Sequence, residues 1–324
     1  MGAPMEEIPS EHTKYDAGVT RHFLTGEELT ADELAALLDR ADFLKQDRWA
    51  SAQLAGRSVA LVFEKPSTRT RISFEVGVRE LGGNPLVLRE GEMQLSRGES
   101  PRDTALVLSR FVHAIAVRTG PDELLEELAE YSSVPVINML TAGHHPCQAL
   151  ADLQTLRERF GSLDGLKLAY VGDGNNVANS LMLLGAKAGM RVAVATPAEL
   201  APNPAIVDRA GDSVLVTQDP AEAAEGAHAL YTDVWVSMGD EAEAGKLRSL
   251  LGPYQLNEEL LDRARPDAIV LHCLPAHPGE EITEGLLYGP RSAVWDQAEN
   301  RLHAQKALLE VLVTAPIRNV PASG

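Results

Sequence analysis

Between Ser67 and Arg71 the chain reads Ser-Thr-Arg-Thr-Arg, three hydroxyls and two guanidinium groups in five consecutive positions. The stretch follows an apolar run and opens a helical pattern. A helix N-terminus presents unpaired N–H groups and a partial positive charge, which together suit a phosphate. Hydroxyls add donors, and an arginine fork grips two phosphate oxygens at once. Capping the helix takes one Ser or Thr, not three, so Ser67, Thr68, Arg69 and Thr70 read as an anion site. No Gly-Lys-Ser/Thr accompanies them, which rules out a Walker loop.

Other residues could complement that anion site. Arg118 ends the apolar run Ala-Ile-Ala-Val, and a buried-type strand seldom ends in a charge without a partner or a ligand. His145-Pro146-Cys147-Gln148 sets an imidazole and an amide one turn apart, so both face one side. Such a pair can polarise a carbonyl and bind an NH₂ group; it can equally be a capped helix start over a buried cysteine. Asp233, at the end of Ala-Leu-Tyr-Thr, could hold an ammonium under a closing loop. Cys273, in His272-Cys273-Leu274-Pro275, could be a nucleophile, a metal ligand or a packing residue, and packing is the commonest of the three. His144, His145, Cys147, His272, Cys273 and His277 do not match the usual zinc spacings, so no metal is expected. Gly172-Asp173-Gly174-Asn175-Asn176-Val177 resembles a dinucleotide fingerprint, but Val177 occupies the third glycine position. A tight strand-to-helix turn is the better reading.

The elements that must position these residues alternate. A capping box, Thr30-Ala31-Asp32-Glu33, opens an amphipathic helix. Apolar runs suited to buried strands then alternate with helices: Ser58–Phe63, PLVL, AIAV and VPVIN in the first half. KLAYV, RVAVA, SVLV, ALYTDVW and AIVLHCL follow in the second, and a last helix is expected from about Ala298. The spacing predicts an α/β protein of two domains, each a parallel β-sheet flanked by helices, joined by a helix near residues 145–150. Ligands of open parallel sheets bind beyond the carboxyl ends of the strands, where the polar residues above all fall.

Composition narrows the partners. The chain has 324 residues and a net charge of −18, so it has no overall attraction for a nucleic-acid phosphate backbone. No apolar stretch reaches the roughly 18–20 residues of a membrane span. The opening MGAPMEEIPSEHTKYD is polar and acidic, unlike a secretory signal, and two cysteines make no disulfide framework. A cytoplasmic location is the expectation. Bottom-up, the pattern predicts transfer between an anionic, phosphate-bearing donor and an amine acceptor.

Taken together, Ser67 to Arg71, Arg118, His145 to Gln148, Asp233 with Ser237-Met238-Gly239, and His272 to Pro275 resemble the ornithine carbamoyltransferases of the aspartate/ornithine carbamoyltransferase family. The resemblance runs in order from about Thr20 to the final helix. Ser-Met-Gly and His-Cys-Leu-Pro point to ornithine over aspartate or putrescine as acceptor. It implies transfer of a carbamoyl group from carbamoyl phosphate to the side-chain amine of L-ornithine, giving L-citrulline and phosphate, with no cofactor. Another amine such as putrescine, or an NAD-dependent dehydrogenase, is the alternative.

The resemblance also implies roles. Ser67, Thr68, Arg69, Thr70, Arg118 and Arg301 would hold the phosphate side. Thr70, Arg118 and His145 would stabilise the carbonyl oxygen as charge builds on it. Gln148 and the backbone carbonyls of Cys273 and Leu274 would take the carbamoyl NH₂. Asn176, Asp233, Ser237 and Met238 would bind ornithine, with Asp233 and Cys273 near the reacting amine. Residues 1–147 would form the carbamoyl-phosphate domain and 148–302 the ornithine domain, with a helix over 303–324 folding back on the first. A homotrimer or a multiple of trimers is implied, with Gln94 reaching a neighbouring site. The chain departs from the family at Ala142-Gly143-His144, where an acidic residue and an aromatic are usual.

Overall fold

The computed structural model describes residues 20–89, 91–93, 98–236 and 241–314. After α1 (Ala31–Gln46) the first half builds β1 (Ser58–Phe63), α2 (Arg69–Glu80), β2 (Asn84–Arg89), α3 (Pro101–Leu108), β3 (Ala114–Arg118), α4 (Asp122–Tyr131) and β4 (Val136–Leu140). The capping box forms as expected: Thr30 Oγ accepts from the Glu33 N–H, and the Glu33 carboxylate accepts from the Thr30 N–H. The strands pair in parallel in the order β2-β1-β3-β4. Their apolar runs follow from this, since helices cover both faces of such a sheet.

Helix α5 (Pro146–Phe160) leads into the second half. There β5 (Lys167–Val171), α6 (Asn176–Lys187), β6 (Arg191–Ala195), α7 (Pro204–Ala210), β7 (Val214–Thr217), α8 (Pro220–Ala224) and β8 (Ala229–Thr232) follow one another. Next come α9 (Ala244–Leu251), α10 (Glu258–Leu261), β9 (Ile269–His272), α11 (Glu284–Leu287) and α12 (Val294–Thr314). This sheet is also parallel, in the order β7-β6-β5-β8-β9.

Both orders reverse at one point. In the first sheet the chain leaves β1 towards β2 and later returns to the other side as β3. In the second it leaves β5 towards β6 and returns as β8. A crevice opens beyond the strand ends at such reversals, because the helices on either side diverge to opposite faces. The first reversal sets Phe63 beside Arg118, and the second sets Tyr170 beside Tyr231. Ser67 and Arg118 therefore flank one crevice, and Asn175 and Asp233 the other.

One apolar core runs through the middle of the molecule. Leu37 and Leu38 of α1, Phe74 of α2, Leu150, Leu153 and Leu156 of α5, and Leu181 of α6 all belong to it. Helix α12 packs against α1, α2 and α5. Its Lys306 is fully buried, donating to Glu80 Oε2 of α2 at 2.8 Å and to the Arg48 carbonyl at 2.5 Å. An ammonium so deeply buried needs such partners to remain charged.

Three boundaries differ from the periodicity. Helix α12 starts at Val294, four residues before Ala298, because Ala293 and Val294 are buried and join the helix to the core. Strand β8 stops at Thr232, where Asp233 Oδ1 accepts the Val234 N–H at 2.8 Å and turns the chain. Strand β9 stops at His272, since Leu274 has φ 61°, outside the extended region. Among the described residues no helix is long and apolar enough to cross a membrane.

Candidate active site

The anion end is built from three separate elements. Thr68 occupies the cap position of α2 with a helical backbone, and its side chain makes no capping hydrogen bond. The hydroxyls of Ser67 to Thr70 are therefore not consumed by helix capping. Arg118 donates from Nη1 to Ser67 Oγ at 3.4 Å. Arg301, on the second turn of α12 and buried, donates from Nη1 to Gln148 Oε1 at 2.6 Å and from Nη2 to Thr70 Oγ1 at 2.5 Å. Among the described residues, Arg69, Arg118 and Arg301 make no ion pair with a carboxylate, and the Nε atoms of Arg118 and Arg301 are buried without a hydrogen-bond partner.

Burial pushes Arg118 down to about 10, helped by the positive charges of Arg301 and Arg69. Burial lowers Arg301 as well, helped by Arg69 and opposed by Cys273, Cys147 and Asp152. Both stay cationic at neutral pH. Three guanidinium groups gathered together, none in a direct ion pair with a carboxylate among the described residues, favour an anion beside them.

Gln148 is oriented without ambiguity. Its Nε2 donates to Asp152 Oδ1 at 2.8 Å, and its Oε1 accepts from Arg301, which can only donate. Asp152 is fully buried and also accepts from Gln297 Nε2 at 2.7 Å; burial pushes it up to about 7. His145 is buried, and its N–H donates to Ser180 Oγ at 2.7 Å. Burial first, then Arg301 and Arg118, hold its imidazole well below the ordinary 6.5, so the ring is neutral at physiological pH.

The turn before His145 explains the unusual Ala142-Gly143-His144. The Thr141 N–H donates to the His144 carbonyl at 2.9 Å, closing a tight loop. Asp122, the first residue of α4, accepts from Thr141 Oγ1 at 2.5 Å and from the Gly143 N–H at 2.9 Å. Asn179 Nδ2 of α6 donates to the Gly143 carbonyl at 3.1 Å. Asp122 thus braces this turn from another helix. A Cβ on residue 143 would stand 2.5 Å from Asp122 Oδ2, so any larger residue there must push that carboxylate aside. Gly143→Ala should lower the free energy of unfolding by about 1–3 kcal/mol and reduce turnover, and Asp122→Ala in the same chain should relieve part of the stability loss. A double-mutant cycle read by urea unfolding checks it; full additivity would contradict the contact.

The second crevice holds a chain of polar contacts. Asn175 caps α6, its Oδ1 accepting from the Val177 and Ala178 N–H groups and from Tyr170 Oη. Its Nδ2 then points to Asp233 Oδ2 at 3.1 Å. Cys273 Sγ donates to Asp233 Oδ1 at 2.7 Å. Burial, followed by the Asp233 charge, raises the thiol well above its ordinary value, so Cys273 is a thiol and not a thiolate nucleophile. Asn176 Nδ2 donates to the Thr141 carbonyl at 2.7 Å, which leaves its oxygen and its second amide hydrogen for other partners. Leu274 is half-buried beside them.

Asp233, His272 and Cys273 bring one donor atom each within 4.8 Å of one another. Both ring nitrogens of His272 are already engaged, with Glu281 and the Leu274 N–H, and the Cys273 thiol is engaged with Asp233. The grouping is a hydrogen-bonded network as it stands. The two ends face one another: Arg118, Arg301 and Cys273 lie close enough to shift one another's ionisation. Gln94, Ser237 and Met238 lie outside the described residues. Asp122, Asp152, Asn175, Asn179, Ser180 and Glu281 belong to the network although spacing did not single them out for it. Only Asn175 carried a signal, as a cap-type residue after a strand.

Comparison with known proteins places these features in context. The chain matches the family model for the carbamoyl-phosphate binding domain of aspartate/ornithine carbamoyltransferases over residues 21–158, and that for their Asp/Orn binding domain over 164–312. It is 57% identical over 303 residues to an ornithine carbamoyltransferase of Acidothermus cellulolyticus, covering 91% of this chain and 97% of that one. To an ornithine carbamoyltransferase of Parafrankia sp. it is 56% identical over 304 residues, covering 90% and 96%. The solved ornithine carbamoyltransferase of Pyrococcus furiosus superposes with a TM-score of 0.88 at 45% identity, over 92% of this chain and 98% of that one.

Proposed function

The chain belongs to the aspartate/ornithine carbamoyltransferase family, and we propose that it transfers the carbamoyl group of carbamoyl phosphate to the side-chain amine of L-ornithine. The products are L-citrulline and phosphate. The observation that carries this reading is the trio Arg69, Arg118 and Arg301, without an ion-paired carboxylate among the described residues, with Cys273 close enough to Arg118 and Arg301 to bear on their ionisation and itself bonded to Asp233. An anionic donor balances the first group, and an ammonium-bearing acceptor suits the second. The readings as a putrescine carbamoyltransferase or an NAD-dependent dehydrogenase gain no support: the relatives above are named for ornithine, and the glycine turn at Gly172 lacks its third glycine.

In this reading Ser67, Thr68, Arg69 and Thr70 hold the phosphate oxygens at the start of α2, with Arg118 alongside. Thr70, Arg118 and neutral His145 donate to the carbonyl oxygen. They act most strongly when the attacking nitrogen has bonded to the carbon and the oxygen carries a full charge. The carbon–oxygen bond to phosphate then breaks, and the nitrogen gives up its proton. Gln148 Oε1, aimed by Asp152 and Arg301, and the carbonyls of Cys273 and Leu274 accept from the carbamoyl NH₂. Arg301 supports the phosphate side through Thr70. Asp233 orients the ornithine amines, with Cys273 locking one of its oxygens. Since Asn175 has committed its oxygen to α6 and Tyr170 and one amide hydrogen to Asp233, Asn176 is the asparagine assigned to ornithine. Ser237 and Met238 are assigned its α-amino and α-carboxylate ends. Carbamoyl phosphate is already activated, so the chemistry needs no cofactor.

An acceptor screen tests the reading: carbamoyl phosphate with ornithine, putrescine, aspartate or N-acetylornithine. Ornithine should give the highest kcat/KM; a better acceptor among the other three would overturn the assignment. We further propose a trimer or a multiple of trimers, in which Gln94 completes the neighbour's site. Exposed Leu106, Val107 and Phe111, on and just after α3, offer a neighbour an apolar surface. Arg118→Ala and Gln94→Ala proteins, each impaired, should recover towards about a quarter of parental activity when mixed and reassembled at equal ratio. Recovery no greater than their mean, with exchange verified by mass, would place Gln94 within its own chain. Both cysteines are free and buried, which fits a cytoplasmic setting.

A further inference from the structure

Leu274 is the one non-glycine residue with positive φ among those described, at 61°. Leucine pays a steric cost there, because its Cβ approaches the backbone oxygen, so something must hold it. His272 does: its Nδ1 accepts the Leu274 N–H at 2.9 Å. An acceptor nitrogen carries no proton, so Nε2 of the neutral ring must carry one, and Nε2 lies 3.2 Å from Glu281 Oε1. Both side chains are fully buried. The Glu281 carboxylate also accepts the His277 N–H, which ties the loop after Pro275 to the same group.

We propose that Glu281 is a positioning residue: by fixing the His272 tautomer it holds Leu274 in its strained conformation and so aims the Leu274 carbonyl at the carbamoyl NH₂. The inference rests on the carbamoyl-transfer reading for the last of these links only. The chain of cause has three steps. Glu281 accepts from Nε2–H, the bare Nδ1 accepts from Leu274, and the Leu274 peptide group is thereby turned into the crevice. With the acceptor at 281 gone, the ring is free to protonate at Nδ1, which would set two donors against each other at the Leu274 N–H. The carbonyl would then move while the arginine end of the site, anchored on α2, β3 and α12, stays in place.

The test compares Glu281→Gln with Glu281→Met. Glutamine keeps an acceptor oxygen at this position, whereas methionine fills the space without one. Calorimetric titration with carbamoyl phosphate and with inorganic phosphate separates the two halves of the ligand. Glu281→Met should bind carbamoyl phosphate about tenfold to a hundredfold more weakly, with phosphate affinity changed less than twofold. Glu281→Gln should recover most of the loss. Equal weakening for both ligands, or for neither, overturns the proposal. Should Glu281→Met fail to fold, nitrogen-15 spectra of labelled parent protein decide, with His272 assigned by its loss in His272→Gln. A bare Nδ1 with a protonated Nε2 is expected, and the opposite tautomer or an imidazolium rejects it. Failure of the parent to carbamoylate ornithine would reject the functional reading instead, and leaves the tautomer result standing.

Discussion

Replacing Arg69 by alanine is expected to lower kcat/KM for carbamoyl transfer by about a hundredfold to a thousandfold without unfolding the protein. Arg69 is the first residue of α2, its side chain is exposed, and it has no acidic partner among the described residues. Its removal therefore strands no buried group. It also relieves repulsion, since its charge acts against Arg118 and Arg301. What is lost is a charge-assisted contact to the phosphate, and preorganised contacts of this kind contribute about 2.7–4 kcal/mol to the transition state. Arg301→Ala is a poorer probe, because it also frees Gln148 and Thr70. Kinetics with a thermal scan check the expectation: near-normal turnover would remove Arg69 from the phosphate site, and a lowered melting point would make its role structural.

Asp233→Asn should raise the KM for ornithine by about a hundredfold while the affinity for carbamoyl phosphate changes little. Truncating one partner of a buried charge pair costs about 2–5 kcal/mol, and asparagine keeps the shape while losing the charge. The Asn175 amide and the Cys273 thiol that now donate to the carboxylate would face a neutral group. The pH dependence of the parent belongs with this variant. The attacking nitrogen must be neutral, and a long-chain amine has a reference value near 10.4, so kcat/KM for ornithine should climb through the alkaline range. Neither His145 nor Cys273 can produce that rise. The His145 value is lowered, so the ring is already neutral above 6.5; the Cys273 value is raised, so the thiol keeps its proton. A flat profile above neutrality, or equal loss of affinity for both substrates, would contradict the role given to Asp233.

The parts of this molecule that could be read in one dimension were those written locally. Apolar runs of four to six residues mark the strands, and Ser67, Arg118, Asn175 and Asp233 stand at or just beyond their ends. Hence the crevice was legible before any contact was known. Boundaries failed where a side chain turned the backbone, as Asp233 does after β8, or where φ left the extended region, as at Leu274. The short helices α9, α10 and α11 carried too few turns to show a period. The supporting network was also hidden. Asp122 meets Gly143 across 21 positions, and Gln297 meets Asp152 across 145. Such pairs leave no periodic trace; they exist because parallel crossovers bring distant strand ends and helix starts together.

Arg301 reaches Thr70 across 231 positions of sequence, from a helix that closes the described chain. During synthesis the segments of the first sheet and α2 are made early, Ser67 to Thr70 and Arg118 among them. Lys306 meets Glu80, and Arg301 meets Gln148 and Thr70, only after α12 has left the ribosome. Until then Glu80 lacks its ammonium, and the apolar faces of α1, α2 and α5 lie open to water. A chain stopped short of α12 would thus carry a half-built anion site over an uncovered core, a form for chaperones and proteases to intercept. The contacts of Arg301 with Gln148 and Thr70 and of Lys306 with Glu80 form in one event, the docking of α12.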